Sequence, residues 1–437
     1  MSESSQTTVE VQPSGQVNGS IRPPGSKSLT NRALICAALA RGTTHLTGVL
    51  RSEDTEVMID ALRQLDVRID LSPDGRVADV SGIGGSDASH KAEVYVANSG
   101  TTIRFLTAML SALGGNYRLH GIDRMHQRPI GDLLTAINQT GGGASSEQGD
   151  GCPPVRIDSQ GWQGGKVTVG GNVSSQYLSG IMMAAPLSRS PLEIHVEGEL
   201  VSRPYVDMTL AVIRSFGVDV TETTPGVFAV QAPCVYQAIE YDIEPDASAA
   251  SYFWAAAAVS GGTVKVEGLT RAALQGDVGF VDCLAKMGCT VTDAPDGITV
   301  AAGGPLRGID VDMNQISDTV QTLSVVALFA EGPTTIHGVA HNRFKETDRI
   351  TDLATELRKL GATIEEFDDG LKITPGPPRA ATLKTYNDHR MAMSFAVAGL
   401  RAPGIQIKNP ACTAKTYPEY FADLQRLTGQ SHHWTAG

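Results

Sequence analysis

The feature that most constrains this chain is a pattern recurring about every 72 residues: a polar cluster, a helix of small residues, then Gly-Gly or Gly-Thr and a strand. The clusters begin at Ser26, Asn98, Ser174, Asp246, Asp318 and Asp388. Near-constant spacing over six copies defines a repeat architecture, one α/β unit used six times. The copies share their apolar positions but not their polar ones, as G-S-K-S-L-T-N-R, N-S-G-T-T-I-R-F and D-T-V-Q-T-L-S show. Different polar groups at equivalent places are what one asymmetric site built from many helix ends would require.

At 437 residues the chain exceeds what one core serves, so two domains of three units each are expected. An apolar content of 41% and a charged content of 19% suit a soluble globular protein, and no run is apolar enough to span a membrane. The opening M-S-E-S-S-Q-T-T-V-E lacks an apolar stretch and reads as neither signal nor transit peptide, so a cytoplasmic protein is expected. Cys36, Cys152, Cys234, Cys283, Cys289 and Cys412 show no C-x-x-C and no zinc spacing, and read as reduced core thiols. A net charge of −12 disfavours a nucleic-acid partner, so any anion is bound by local clusters working against the global field.

The second half of each unit is also periodic. Ile350, Leu353, Leu357 and Leu360 form one apolar stripe at helical spacing, ended by Gly361. Ile130 to Gly141, Val206 to Gly217 and Phe280 to Gly288 repeat that plan, and in the first unit Asp66 replaces the glycine after Met58, Leu62 and Leu65. Hairpins with Asp-containing turns follow, as in V-R-I-D-L-S-P-D-G-R-V-A-D-V. Each unit is thus βαβαββ; the sixth reads as cut short, with Ser431–Gly437 as a loose tail. The leading helices, such as A-L-I-C-A-A-L-A, carry small residues on all faces and suit burial among other elements.

Polar residues at helix starts are first of all caps, and Asn98, Ser174, Asp246 and Asp318 are capping types. Helix N-termini also attract anions. Lys27, Arg32, Arg104, Arg128, Arg203, Lys345, Arg349, Arg390 and Lys415 cluster at these junctions, which in an acidic chain points to small substrates with several anionic groups. G-S-K-S lacks the Walker spacing, no G-x-G-x-x-G follows a strand, and H-E-x-x-H and G-x-S-x-G are absent. ATP, NAD, a metal and a hydrolase elbow are therefore not implied. R-F-K-E-T-D-R and Y-N-D-H-R-M-A-M are the densest in chemistry; the plain alternative for the first is a salt-bridge ladder at helical spacing. A non-enzymatic anion-binding repeat scaffold is the rival, but scaffolds present equivalent residues in every copy.

P-P-G-S-K-S-L-T-N-R, N-S-G-T-T-I-R, Q-R-P-I, S-S-Q-Y-L, R-P-Y, D-M-N-Q-I-S-D, K-E-T-D-R, Y-N-D-H-R-M-A-M and C-T-A-K-T-Y-P occur in one order. In that order the chain resembles the 5-enolpyruvylshikimate-3-phosphate synthases (3-phosphoshikimate 1-carboxyvinyltransferases). The related transferases acting on UDP-N-acetylglucosamine match less well at the first and last junctions. The resemblance implies a two-domain inside-out α/β barrel of six βαβαββ repeats, three per domain. Residues 1–21 with 246–437 would form one domain and 22–245 the other, with the active site in the cleft between them. It also implies a monomer without cofactor or metal that transfers the enolpyruvyl group of phosphoenolpyruvate to the 5-hydroxyl of shikimate 3-phosphate.

Carried over by residue, the resemblance assigns shikimate 3-phosphate to Lys27, Ser28, Arg32, Ser174, Ser175, Gln176, Ser202, Tyr205, Asp318 and Lys345, with Arg32 and three serines on the phosphate. It assigns phosphoenolpyruvate to Lys27, Asn98, Gly100, Arg128, Gln176, Arg349, Arg390 and Lys415. Glu346 and Asp318 are the implied proton shuttles, with Lys27 a third. His341 stands where the family usually has Asn, and Asn342 follows it, so either could contact the shikimate moiety. Gly100 implies sensitivity to glyphosate, because an alanine methyl there would intrude on that inhibitor. Phe105 stands where Pro or Leu is commoner, and its ring is expected to shift the helix.

Overall fold

The computed structural model describes residues 7–84, 90–171 and 174–435. Residues 1–6 of the opening segment and the last two of the tail lie outside the described residues. The chain divides into two units, Met1–Pro24 with Pro245–Gly437, and Gly25–Glu244. The first passage falls three residues later than the expected boundary after residue 21, and the return one residue earlier than that after 245.

Among the described residues, each unit holds three four-stranded sheets on one plan. A strand pairs in parallel with the strand that follows a buried helix, and that second strand pairs antiparallel with one arm of a hairpin. Lys91–Tyr95, Gly115–His120, Val155–Ser159 and Ala144–Ser146 show the plan. Gly165–Gly170, Leu192–Glu197, Val227–Val230 and Val220–Thr224 repeat it. Parallel pairing needs a crossover, and the small-residue helix supplies it. At the two passages, sequence order and sheet membership separate. Asn18–Ile21 precedes the helix Lys27–Leu39 yet pairs with Thr263–Glu267. Glu240–Asp242 precedes the helix Ala247–Ser260 yet pairs with Arg41–Thr47.

The sixth repeat is not cut short. After Ala381–Leu383 and Ile405–Lys408, its third and fourth strands are Thr8–Val11 and His433–Thr435. The expected loose tail is therefore a strand, with Trp434 edge-on to Phe421 at 5.5 Å. Its pairing covers the otherwise open edge of Thr8–Val11.

The leading helices are buried all round, as their composition requires: every residue from Ala247 to Val259 is inaccessible or nearly so. In the unit Met1–Pro24 with Pro245–Gly437, three of them meet through hydroxyls, Ser251 to Thr322 at 3.0 Å and Thr322 to Ser394 at 3.4 Å. Small residues permit that approach, and each buried hydroxyl is satisfied by the next. The second helices end on left-handed residues, Asp66 (φ 66°) standing where Gly217 (φ 80°) and its counterparts stand in other repeats. No helix among the described residues is long and apolar enough to cross a membrane. The six cysteines are free thiols, and burial pushes Cys36 up to about 12.

Candidate active site

In the unit Met1–Pro24 with Pro245–Gly437, the polar junctions converge on Arg349, whose side chain is 2% exposed. Its Nε donates to Asp388 Oδ2 (2.7 Å), Nη1 to Asp318 Oδ1 (3.2 Å) and Nη2 to Glu346 Oε2 (2.9 Å). Burial works against this charge, but Asp388, Glu346 and Asp318 outweigh it and hold the guanidinium above its usual range. Arg390 Nη2 donates to Asp318 Oδ2 at 2.7 Å, and Lys415 Nζ stands 3.9 Å from Glu346 Oε1. Asp318, Glu346, Arg349, Arg390 and Lys415, all singled out in the sequence, thus form one network. K-E-T-D-R is not a helix, yet one local ion pair does form, Glu346 with Arg349 three residues on.

Local structure explains how these groups are aimed. Asp388 caps the helix His389–Gly399 through the Arg390 amide at 2.8 Å. Asp318 is not a cap: it lies in the 3-10 turn Asn314–Thr319, and the helix Val320–Ala327 has no side-chain cap. Its carboxylate is left for the arginines. Asp246 does cap, accepting the Ala249 amide at 2.8 Å, and Ser248 donates to Asp277. Burial, then the charge of Asp318, pushes Asp277 up to about 7. Asn342 is fully buried; its Nδ2 donates to Ser317 O (3.0 Å) and its carbonyl accepts from the Arg349 amide (3.2 Å). It pins the backbone beside Asp318. His341 is lowered to about 3 by burial and then by Lys345, so it stays neutral.

In the unit Gly25–Glu244, three smaller groupings form. Lys27 Nζ stands 3.4 Å from Asp54 Oδ2. Arg128 Nη1 donates to Asn98 O (3.0 Å) and lies over Gly100, where a Cβ would sit 2.5 Å from Nη2. A methyl group at Gly100 would therefore push on the Arg128 guanidinium. Ser99, not Asn98, caps the helix Gly100–Leu113, which leaves Asn98 for the arginine. Gln176 accepts from Arg104 at 2.6 Å, and Ser174 caps the helix Ser175–Ala184. Ser202 takes a left-handed conformation (φ 54°) one residue before the helix Arg203–Ser215.

Arg32 is engaged within its own unit. Its Nε donates to Thr209 Oγ1 (2.7 Å), Nη1 to Ser28 O (2.9 Å), and Nη2 to Ser179 Oγ (3.3 Å) and Tyr205 O (3.2 Å). Four of its five N–H groups are spent inside the unit, so it has one left for a phosphate, not a bidentate fork. Burial lowers it to about 10. The Phe105 ring lies beneath the Arg32 guanidinium, 5.2 Å from its centroid. Arg203 resolves as a surface charge paired with Asp207 and Glu222.

Sequence reading missed Asp54, Thr209, Ser179 and Asp277, which touch the expected residues without carrying a motif. Asp388 was legible from its position in the period.

Six α/β repeats, with carboxylates gathered on the buried Arg349 and cations at helix starts, suit a protein that binds small anionic molecules. The chain belongs to the EPSP synthase (3-phosphoshikimate 1-carboxyvinyltransferase) family, whose model matches residues 11–424. The 3-phosphoshikimate 1-carboxyvinyltransferase of Nostoc punctiforme is 47% identical over 414 residues, 95% of this chain and 97% of that one. That of Serratia proteamaculans is 46% identical, covering 96% and 99%. The EPSP synthase structure from Acinetobacter baumannii matches with a TM-score of 0.82 at 26% identity, over 98% of this chain and 100% of that chain. The enolpyruvyl transferase NikO from Streptomyces tendae, at 19% identity and a TM-score of 0.80, shares the fold.

Proposed function

We propose that the Arg349 network of one unit and the Lys27, Arg32, Arg128 and Gln176 groupings of the other act on the same pair of substrates. The chain is an enzyme of the shikimate route to the aromatic amino acids. It transfers the enolpyruvyl group of phosphoenolpyruvate to the 5-hydroxyl of shikimate 3-phosphate and releases phosphate. The observation that carries the site reading is that Asp318 and Glu346 share one guanidinium, with Arg390 and Lys415 beside them. Two carboxylates held on one cation can serve two protons of one reaction.

In this reading Glu346, entering the step in its protonated form, gives that proton to the enolpyruvyl methylene as the 5-hydroxyl oxygen bonds to C2, and Asp318 accepts the hydroxyl proton. The tetrahedral ketal phosphate then breaks its C2–O bond to phosphate. The methyl group returns a proton to Glu346, and the hydroxyl proton leaves with the phosphate. Lys27, Asn98, Gly100, Arg128, Gln176, Arg349, Arg390 and Lys415 hold phosphoenolpyruvate. Lys27, Ser28, Ser174, Ser175, Gln176, Ser202, Tyr205, Asp318 and Lys345 hold shikimate 3-phosphate, with Arg32 supplying a single N–H. His341 takes the place beside the shikimate moiety, since the Asn342 amide nitrogen is engaged with Ser317. An inside-out barrel in each domain and a cytoplasmic monomer belong to the same proposal.

The test is release of inorganic phosphate from phosphoenolpyruvate. It is expected with shikimate 3-phosphate and absent with UDP-N-acetylglucosamine; the reverse result would reassign the acceptor.

A further inference from the structure

Tyr386 and Asn387 both have positive φ, 53° and 57°, and the Asp388 amide bonds to Thr385 O at 2.8 Å. That is the pattern of a type I′ turn, which glycine and asparagine fill and an aromatic residue avoids. The turn leads directly into Asp388 and Arg390, so its shape sets where both stand. Tyr386 is held there by its hydroxyl, which donates to Glu356 Oε1 at 2.7 Å. Glu356, on the helix Thr351–Lys359, is fully buried. Its carboxylate also accepts the Lys384 amide at 3.0 Å and Lys359 Nζ at 2.7 and 2.6 Å. One buried carboxylate thus grips the residues on both sides of Thr385. Across the turn, Asn409 Nδ2 donates to Asn387 Oδ1 at 3.1 Å and Thr385 Oγ1 to Lys408 O at 3.1 Å.

We propose that Glu356 and Tyr386 are positioning residues for the enolpyruvyl transfer: their hydrogen bond holds the turn 385–388 in its left-handed form and thereby fixes Asp388 on Arg349 and Arg390 on Asp318. The proposal rests on the reading that Arg390 holds phosphoenolpyruvate. Without the hydroxyl, the aromatic residue at positive φ loses the side-chain bond that anchors it, and the remaining bonds of Thr385, Asn387 and Lys384 hold the turn less firmly. The Arg390 guanidinium then loses its aim, while Asp318 keeps its bond to Arg349 and the shikimate 3-phosphate groupings of the other unit are untouched. Lys359 continues to compensate Glu356, so removing the hydroxyl leaves no buried charge unpaired.

Tyr386→Phe, Tyr386→Gly, Glu356→Gln and Arg390→Ala in the full chain separate the possibilities, with KM for each substrate, kcat and Tm measured. Tyr386→Phe is expected to raise KM for phosphoenolpyruvate about tenfold, with KM for shikimate 3-phosphate within about twofold of wild type. Tyr386→Gly is expected within about threefold of wild type, because glycine takes the left-handed turn unaided. A packing role gives the opposite order, with phenylalanine near wild type and glycine worst, and that order overturns the proposal. Glu356→Gln combined with Tyr386→Phe is expected to be no worse than the poorer single variant by more than about twofold, and full additivity also overturns it. If Arg390→Ala leaves KM for phosphoenolpyruvate unchanged, the underlying site reading fails and the proposal with it. If Arg390→Ala raises that KM and Tyr386→Phe does not, only the positioning role fails.

Discussion

Replacing Gly100 by alanine puts a methyl group against Arg128. The added Cβ would lie 2.5 Å from Nη2, 2.9 Å from Cζ and 3.0 Å from Nη1, where ordinary contact begins at 3.4 Å. The guanidinium therefore has to retreat by about 0.9 Å, the difference between 3.4 and 2.5 Å. Nη1 itself needs to move only about 0.4 Å, the difference between 3.4 and 3.0 Å, which stretches and weakens its 3.0 Å bond to Asn98 O. A hydrogen bond from a charged donor contributes about 1.5–3 kcal/mol in full, so its weakening should lower kcat/KM for phosphoenolpyruvate by up to about tenfold. Initial rates of phosphate release, with phosphoenolpyruvate varied at saturating shikimate 3-phosphate, measure this. Tm should change little, because the far end of a long side chain absorbs the clash. Adding Gly100→Ala to Arg128→Gln should cost little more than Arg128→Gln alone. An unchanged KM for phosphoenolpyruvate, or full additivity, would refute the route through Arg128. Glyphosate inhibition should weaken in parallel with phosphoenolpyruvate binding. Relief without any loss of phosphoenolpyruvate affinity would mean that the methyl acts on the inhibitor itself.

Glu346→Gln should lower kcat by about 10²-fold with little change in either KM, and the protein should still fold because Arg349 keeps Asp318 and Asp388; near-wild-type turnover would return Glu346 to a purely structural ion pair. His341 has a folded value of about 3 against an ordinary 6.5, so the unfolded chain binds the extra proton first and stability falls as pH drops from 6.5 toward 3. At pH 5 the penalty is about 2 kcal/mol, and His341→Asn should remove it from the acid limb of urea unfolding curves; an unchanged limb would count against a buried neutral imidazole. Deleting residues 431–437 removes the edge strand and the Trp434–Phe421 contact, and should lower Tm by a few degrees, at about 2–4 °C per kcal/mol, while activity at 25 °C persists. An unchanged Tm would show that the strand contributes nothing to the fold.

The period, the buried leading helices and the amphipathic second helices were legible in the sequence because each depends on local spacing and side-chain size. Gly217 and its stand-in Asp66 mark helix ends by a conformational preference that residue type alone carries. The motifs named the residues that gather on Arg349, since each sits at a repeat junction and the period makes the junctions equivalent. What the sequence could not determine is pairing between distant segments. Thr8–Val11 completes the last repeat from the other end of the chain, and Asn18–Ile21 pairs away from the helix that follows it, because strand partners are selected by register and burial and not by order. The same holds at the site. Arg32 reads as a phosphate ligand from its motif, yet Thr209 and Ser179 use its fork, and Gly100 reads as room for a ligand, yet Arg128 occupies that space. Residue type fixes what a group can donate or accept; only the packed structure decides which neighbours have already claimed it.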